Sequence, residues 1–439
     1  MYFLSIDFGT SAVKMSIVDE NGNTSCWTRE DYPYILLPGE KVEMAPESLW
    51  GSLFTGLKRL DQDLLGKVEC LCYDTFSPSP VFLDEKGELV YENIITHMDR
   101  RSRAQSAYID STIGKDAYMN ISGIYPFPGG CSAMTFIWFL QNQPEVFEKT
   151  CRVGHLPTYI HKKLTGEWMV DLVNASMMGL YETTTQKGWA WDLIEAFGLK
   201  KEWFGEIYNP GTIHGTLLPE MAEKMGLKPG IPVAVGTNDV AASQMGAMNF
   251  RPGDIMNTTG SSEMVGILTD KPVVNPEYYL RNSALPGIWQ IYATTAGGFA
   301  IDWFKKELCR EMSKNEFYAY VAKVIEECLD DESVTFDPYM TGDRQSLEKK
   351  TGAWHGLTLE ATRDKMLASM LRAMQGVLSK AIRQAGEVQE LSKVIKISGG
   401  MTTPSYLKLK SREIPGFEFE VVDDCAILGN VELVKYHQK

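Results

Sequence analysis

The 439-residue chain has no window approaching the ~18 uninterrupted apolar residues of a membrane span, so it is expected not to cross a bilayer. It is short of positive charge. Its 43 Lys and Arg against 57 Asp and Glu leave a formal charge of −14, which argues against wrapping nucleic acid or lying on an anionic membrane. An anionic ligand therefore needs a local pocket of donors. Six histidines show neither H-E-x-x-H nor a Cys/His cluster, so no dedicated zinc site is expected. Of the eight cysteines only Cys70 and Cys72 lie close together, and one C-x-C pair without a second reads as core thiols. No Pro-, Ser- or Gln-rich linker interrupts the chain. Met1 leads straight into a strand-like run instead of a charged-then-apolar signal region, and a cytoplasmic location is the expectation.

What is present points to two domains of around 200 residues each, because one hydrophobic core seldom serves so long a chain. In "FLSIDFGTSAVKMSIVDENGN" the runs Phe3 to Ile6 and Val13 to Val18 read as strands. Between them lie a carboxylate, a glycine, two hydroxyls and Lys14. A glycine turn lets backbone N–H groups face one point, and hydroxyls and an ammonium add donors, which is how proteins cradle phosphate. An ordinary hairpin whose Asp and Thr satisfy turn backbone is the competing reading. "RPGDIMNTTGSSEMVGIL" resembles a second copy of this device, and "KVIKISGGMTTPSYLKL" reads as strand, glycine turn and helix. "TRDKMLASMLRAMQGVLSKAIRQAGEV" is an amphipathic helix with Met366, Met370, Met374, Val377 and Ile382 as candidate core positions. The repeated device puts the domain boundary near Ser243 to Arg251, giving domains over 1–244 and 245–439.

Three glycine corners in order, each after a strand, form a pattern that one alone does not. Together "IDFGTSAVK", "VGTNDVAASQMGAMNFRPGD", "NTTGSSEMVGI", "AGGFAIDWF", "PYMTGDR", and "ISGGMTTPSYL" with "AILG" resemble the successive motifs of the FGGY family of carbohydrate kinases. "NIITHMDRRS" and "LTGEWMVDLVNAS" resemble segments of that family's sugar-binding domain. The resemblance implies an α/β fold of two actin-like, ribonuclease H-like domains. Each is expected to hold a mixed five-stranded sheet flanked by helices, with the active site in the interdomain cleft. It implies ATP and Mg2+ as cofactors, a small sugar or polyol as partner, and no nucleic acid or membrane. It leaves a homodimer open.

Carried over by position, the resemblance sets Asp7 facing the magnesium-bound phosphates through water, with Thr10, Ser11 and Lys14 at the γ-phosphate end. Gly260 and Ser261 would hold nucleotide phosphates. Gly298 and Asp302 match a nucleotide-contacting stretch, and Gly399 with Gly400 would let backbone approach the adenosine. Pro404 stands where relatives often offer a polar side chain. Seven residues before Gly246, Asp239 takes the place of the general base that accepts the alcohol proton during phosphoryl transfer. Capping the following helix is the alternative for Asp239.

The sugar side departs from the family. "DTFSPSPVFLD" carries neither the Met-His-Gly signature of pentulose kinases nor the Arg-Glu clamp of glycerol kinases, and His97 replaces the usual Trp before "DRR". Thr75, Ser77, His97, Asp99 and Asp171 remain as candidate substrate contacts, with an Asp99–Arg101 wall brace as the alternative for Asp99. The expected reaction is transfer of the ATP γ-phosphoryl group to a primary hydroxyl of a small, pentulose-like ketose or a polyol. A non-catalytic or regulatory nucleotide-binding relative is the other reading.

Overall fold

The structure, a computed structural model, describes residues 1–127, 129–340, 350–423 and 425–438. It divides into two compact units. The first comprises residues 1–250 and 280–289 together with the C-terminal helix, and the second 251–279 and 290–423.

In the first unit the hydrophobic runs around the opening glycine form β1 (Tyr2–Phe8) and β2 (Ala12–Asp19), antiparallel, and β3 (Thr24–Asp31) continues the meander. β4 (Cys70–Thr75), buried along its whole length, lies parallel to β1. Two short strands, β6 (Pro232–Ala234) and β7 (Thr237–Asn238), both pair in parallel with β4, and β5 (Ile213–Thr216) adds an edge to β6. The order is β5-β6-β4-β1-β2-β3, with β7 also on β4. The sheet thus has seven strands where five were expected, because its fifth place is shared by β6 and β7 and β5 extends the edge.

The second unit repeats the plan. β8 (Ile255–Thr259) and β9 (Ser262–Thr269) are the antiparallel pair around the Gly260 corner. With β10 (Trp289–Ala296), β11 (Val394–Gly399) and β12 (Glu418–Val421), they run in the order β10-β9-β8-β11-β12, with β11 parallel to both β8 and β12. The glycine corner therefore recurs at the same place in both sheets.

Helix α1 (Pro46–Arg59) covers β2 and β3, burying Leu49, Leu53 and Leu57 against a core that includes Met15. α2 (Asp239–Gly246) follows β7, α3 (Gly298–Leu308) follows β10, and α5 (Pro404–Glu413) follows β11. The long α4 (Arg363–Val388) buries Met370, Met374 and Ile382 as expected. Met366 and Val377 are only partly covered, since the buried stripe runs through Leu367, Leu371 and Leu378.

The first unit runs past the expected cut between 244 and 245 to residue 250 and also takes in 280–289 and the last helix, α6 (Cys425–Gln438). There Ile427, Val431 and Val434 pack on Phe3, Val18, Cys70 and Cys72. Cys70 and Cys72, two apart on a strand, share that face as core thiols. Glycines set the approach of α2 and α6. A Cβ on Gly246 would stand 1.8 Å from the Cys425 carbonyl oxygen, and one on Gly429 1.8 Å from that of Ala242.

Gly246→Ala and Gly429→Ala are expected to force the helices apart and cost about 2–3 kcal/mol each. Gly376→Ala, on an exposed stretch of α4 with nothing within 4 Å, is expected to add about 0.5–1 kcal/mol. Thermal unfolding of the three variants checks this, and equal small shifts would refute the tight helix contact.

Candidate functional site

Strand register gathers the acidic residues of the first unit. Asp7 stands opposite Lys14 across β1 and β2, beside Asp74 across β1 and β4, and Asp74 stands beside Thr237, two residues before Asp239. Lys14 Nζ lies 2.8 Å from Asp7 Oδ2, with 40% of the lysine side chain still exposed. The Asp7 charge raises the Lys14 pKa above its ordinary value against the opposing effect of burial. Asp74, fully buried, accepts from Asn430 Nδ2 of α6 at 2.6 Å. Burial first, then the charges of Asp7 and Asp239, push its carboxyl well above the usual range. Among the described residues, Oδ1 of Asp7 and Oδ1 of Asp74 are buried without a hydrogen-bond partner.

The turn after β1 is held from behind. The Tyr32 hydroxyl donates to the Gly9 carbonyl, the Tyr34 hydroxyl donates to the Thr10 carbonyl, and Gly9 N–H donates to the Ala12 carbonyl at 3.0 Å. Two aromatic side chains thus satisfy the turn's carbonyls. Thr10 is half-buried and Ser11 exposed, so both hydroxyls border the turn's open side.

Asp239 opens α2, but the helix is capped by its neighbour: Asn238 Oδ1 accepts from Ala241 N–H at 3.3 Å. Asp239 Oδ1 accepts from Asn238 Nδ2 and from Val240 N–H, both at 2.8 Å. Burial and then the Asp7 charge push its carboxyl up to about 7, against the Val240 N–H, Arg281 and Lys14. Arg281 is buried and comes from the 280–289 stretch.

The candidate sugar-side residues divide into two groups. Asp99 accepts from Arg101 Nε at 2.9 Å, from Arg101 Nη2 at 2.8 Å and from Val42 N–H at 2.9 Å, while Arg101 also pairs with buried Glu43. This is the wall brace. Asp171 caps the helix Leu172–Met177 and accepts from Asn174 N–H, Asn174 Nδ2 (2.7 Å) and Thr237 Oγ1 (3.0 Å), with burial raising it to about 6. Thr75 donates to the Phe76 carbonyl at 3.1 Å. Ser77 Oγ, by contrast, is buried without a partner among the described residues. His97 is half-buried, its ring 6.1 Å from that of Phe76.

In the second unit the three glycine segments meet. Gly298 N–H donates to the Gly260 carbonyl at 2.8 Å, and Gly297 and Phe299 N–H donate to the Ser261 carbonyl at 3.1 and 3.0 Å, stitching the start of α3 to the β8–β9 corner. Gly400 N–H donates to the Thr259 carbonyl at 3.0 Å. Gly399 has φ +106°, and a Cβ there would lie 1.8 Å from the Thr259 oxygen, so only glycine fits. A Cβ on Gly400 would meet nothing within 4 Å. Asp302 is exposed on α3. Pro404 fills the first helical position of α5 behind the cap Thr403, a place that suits proline. In "PYMTGDR", residues 341–344 lie outside the described residues.

Sequence reasoning missed Asp74, Asn430, Arg281 and the two tyrosines. The available signal for Asp74 was one carboxylate in the otherwise apolar or small "CLCYDT". The others come together only through long-range packing.

No described helix is long and apolar enough to cross a membrane. The chain is 24% identical over 425 residues to the xylulose kinase of Bacillus subtilis, covering 93% of this chain and 83% of that one. It is 24% identical over 393 residues to the gluconokinase of Bacillus licheniformis, covering 86% and 75%. The ligand-bound xylulose kinase of Lactobacillus acidophilus superposes with a TM-score of 0.89 at 19% identity, covering 100% of this chain and 89% of that one, which shows a shared actin-like two-domain fold. Residues 2–246 match the N-terminal domain of the FGGY family of carbohydrate kinases, and the chain belongs to that family of phosphotransferases.

Proposed function

We propose that the chain transfers the γ-phosphoryl group of ATP to a primary hydroxyl of a small, pentulose-like ketose or a polyol, with Asp239 as general base. The observation that carries this is the state of Asp239. Asn238 caps α2 in its place and two donors fix Asp239 Oδ1, while among the described residues no hydrogen bond engages Oδ2, which would accept from the substrate hydroxyl. A carboxyl near 7 is well matched to taking a proton at neutral pH. That arrangement favours a working kinase with an altered acceptor site over a non-catalytic relative.

Asp7 suits a magnesium ion held through water, since its Oδ1 is a buried oxygen with no partner among the described residues. When bound, the ion offsets phosphate charge. Thr10 and Ser11 face the γ-phosphate end, and Lys14 keeps its ammonium open to an anion while resting on Asp7. Gly260, Ser261, Gly298, Gly399 and Gly400 give nucleotide close access to backbone, with exposed Asp302 at the rim. On the acceptor side Ser77 and His97 contact substrate, and Thr75, Asp99 and Asp171 shape the wall. Relatives named xylulose kinase and gluconokinase match at the same identity, so acceptors of both kinds belong in any test.

Acceptor-dependent ADP release, measured with Mg-ATP across ketopentoses, ketohexoses, gluconate, glycerol and four- or five-carbon polyols, is expected to identify a substrate. Asp239→Asn is expected to lower that turnover by about 10²–10⁴-fold while ATP binding stays within about threefold. Normal turnover in Asp239→Asn would remove the base assignment.

The raised carboxyl has two pH signatures. Below about 7 the wild-type base is protonated, so kcat/KM is expected to fall tenfold per pH unit as acidity rises. In the unfolded chain Asp239 titrates near the ordinary ~3.9, so above 7 it is ionised in both states and its charge, held beside that of Asp7 in the folded state, opposes folding. Below the unfolded value it is neutral in both states. In metal-free buffer Asp239→Asn is therefore expected to unfold at higher temperature than wild type at pH 8, with the gain gone near pH 4. A pH-independent difference would contradict the raised value.

A further inference from the structure

Among the described residues of the second unit, one ion pair is completely buried and has no part in the proposed chemistry. Lys410 of α5 and Glu263 of β9 are both fully buried and paired with each other. Gln375 of α4 completes the group, donating to Glu263 Oε2 at 2.9 Å and accepting from Lys410 Nζ at 3.0 Å. Every partner is a side chain, and three separate elements meet at one point. A buried ion pair is a poor source of stability, since well-packed apolar residues of similar volume usually do as well or better. Its directional contacts hold geometry more tightly than apolar packing does.

The positions of the partners say which geometry. Glu263 is two residues beyond Ser261, and its backbone carbonyl also accepts from Thr294 Oγ1 at 3.2 Å, on the strand that leads to Gly298. Lys410 lies two turns into α5, the helix that begins just after Gly399 and Gly400. These corners are already joined at their tips by Gly298 N–H to the Gly260 carbonyl and Gly400 N–H to that of Thr259. The pair joins them again at their roots.

We infer that Lys410 and Glu263, with Gln375, are positioning residues for nucleotide binding: the buried pair sets the spacing between the Gly260–Ser261 corner and the Gly399–Gly400 corner. This rests on the proposal that those corners hold the nucleotide.

The test compares wild type, the neutral pair Glu263→Gln/Lys410→Met, and Gln375→Leu, which keeps the ion pair but removes both bridging hydrogen bonds. Mg-ATP binding is followed by calorimetry on the full chain, acceptor kinetics give KM and kcat, and thermal unfolding reports stability. The neutral pair is expected to keep a midpoint near that of wild type, because no charge is left buried alone, yet to bind ATP about tenfold more weakly with acceptor KM unchanged. Gln375→Leu is expected to weaken ATP by about threefold. If either variant folds and binds ATP as wild type does, or loses ATP and acceptor affinity in equal measure, the pair is structural only and the inference fails. If the neutral pair does not fold, Gln375→Leu alone decides between these outcomes. Wild type that does not bind Mg-ATP would instead overturn the nucleotide reading itself.

Discussion

Three carboxylates gathered at one strand end, two of them buried, repel one another, and much of the first unit serves to hold them there. β1 and β4 bring Asp7 and Asp74 side by side, and the short β7 delivers Asp239 next to them. Like charges this close cannot all stay ionised unless counter-groups or protons intervene. Lys14 answers Asp7 from the facing strand, Asn430 donates to Asp74 from α6, and Arg281 acts on Asp239 from the 280–289 stretch. Both segments that return to the first unit from far along the chain therefore bring a group that bears on this cluster.

The two units share a sheet plan but differ in what their glycine corners offer. The first combines hydroxyls, an ammonium and carboxylates, with tyrosines closing off the turn's carbonyls. The second offers mainly backbone, with Gly297, Gly298, Gly399 and Gly400 at the joins, and its charge is withdrawn into the Lys410–Glu263 pair beneath. A surface that must let a polyanion approach gains from small residues, whereas proton transfer needs a placed carboxylate. The division fits the chemistry of a carbohydrate kinase.

Asp171 belongs to a network of buried polar side chains. Ser132 Oγ lies 2.7 Å from His155 Nε2, His155 Nδ1 lies 2.6 Å from Asn174 Oδ1, and Asn174 and Thr237 both hold Asp171. Burial keeps the His155 imidazole down at about 4, so it is neutral at neutral pH and the chain of contacts is a brace. Through Thr237 this brace reaches β7, the strand just before Asp239. Asp99 and Arg101 form a second such brace, with the guanidinium 5.4 Å from the centre of the Trp138 ring. A sequence shows that such residues can bond a sugar but not that their lone pairs are already engaged.

Local order was the legible part. Apolar runs around Gly9 and Gly260, the turn at Gly399 and the helical period from Arg363 to Val388 each depend on neighbours a few residues away, and the strands and helices form where those patterns lie. The motif series carried the family, and spacing singled out Asp239. Tertiary structure alone decided the rest. Whether Asp99 and Asp171 face a ligand or a partner, that Asn238 and not Asp239 caps α2, that α6 packs back on β1 and β4, and that Lys410 meets Glu263 across 147 positions are outcomes of long-range packing. The physical reason is that a side chain's chemistry is written in its residue, while its burial, partners and charge state depend on atoms that only folding brings near.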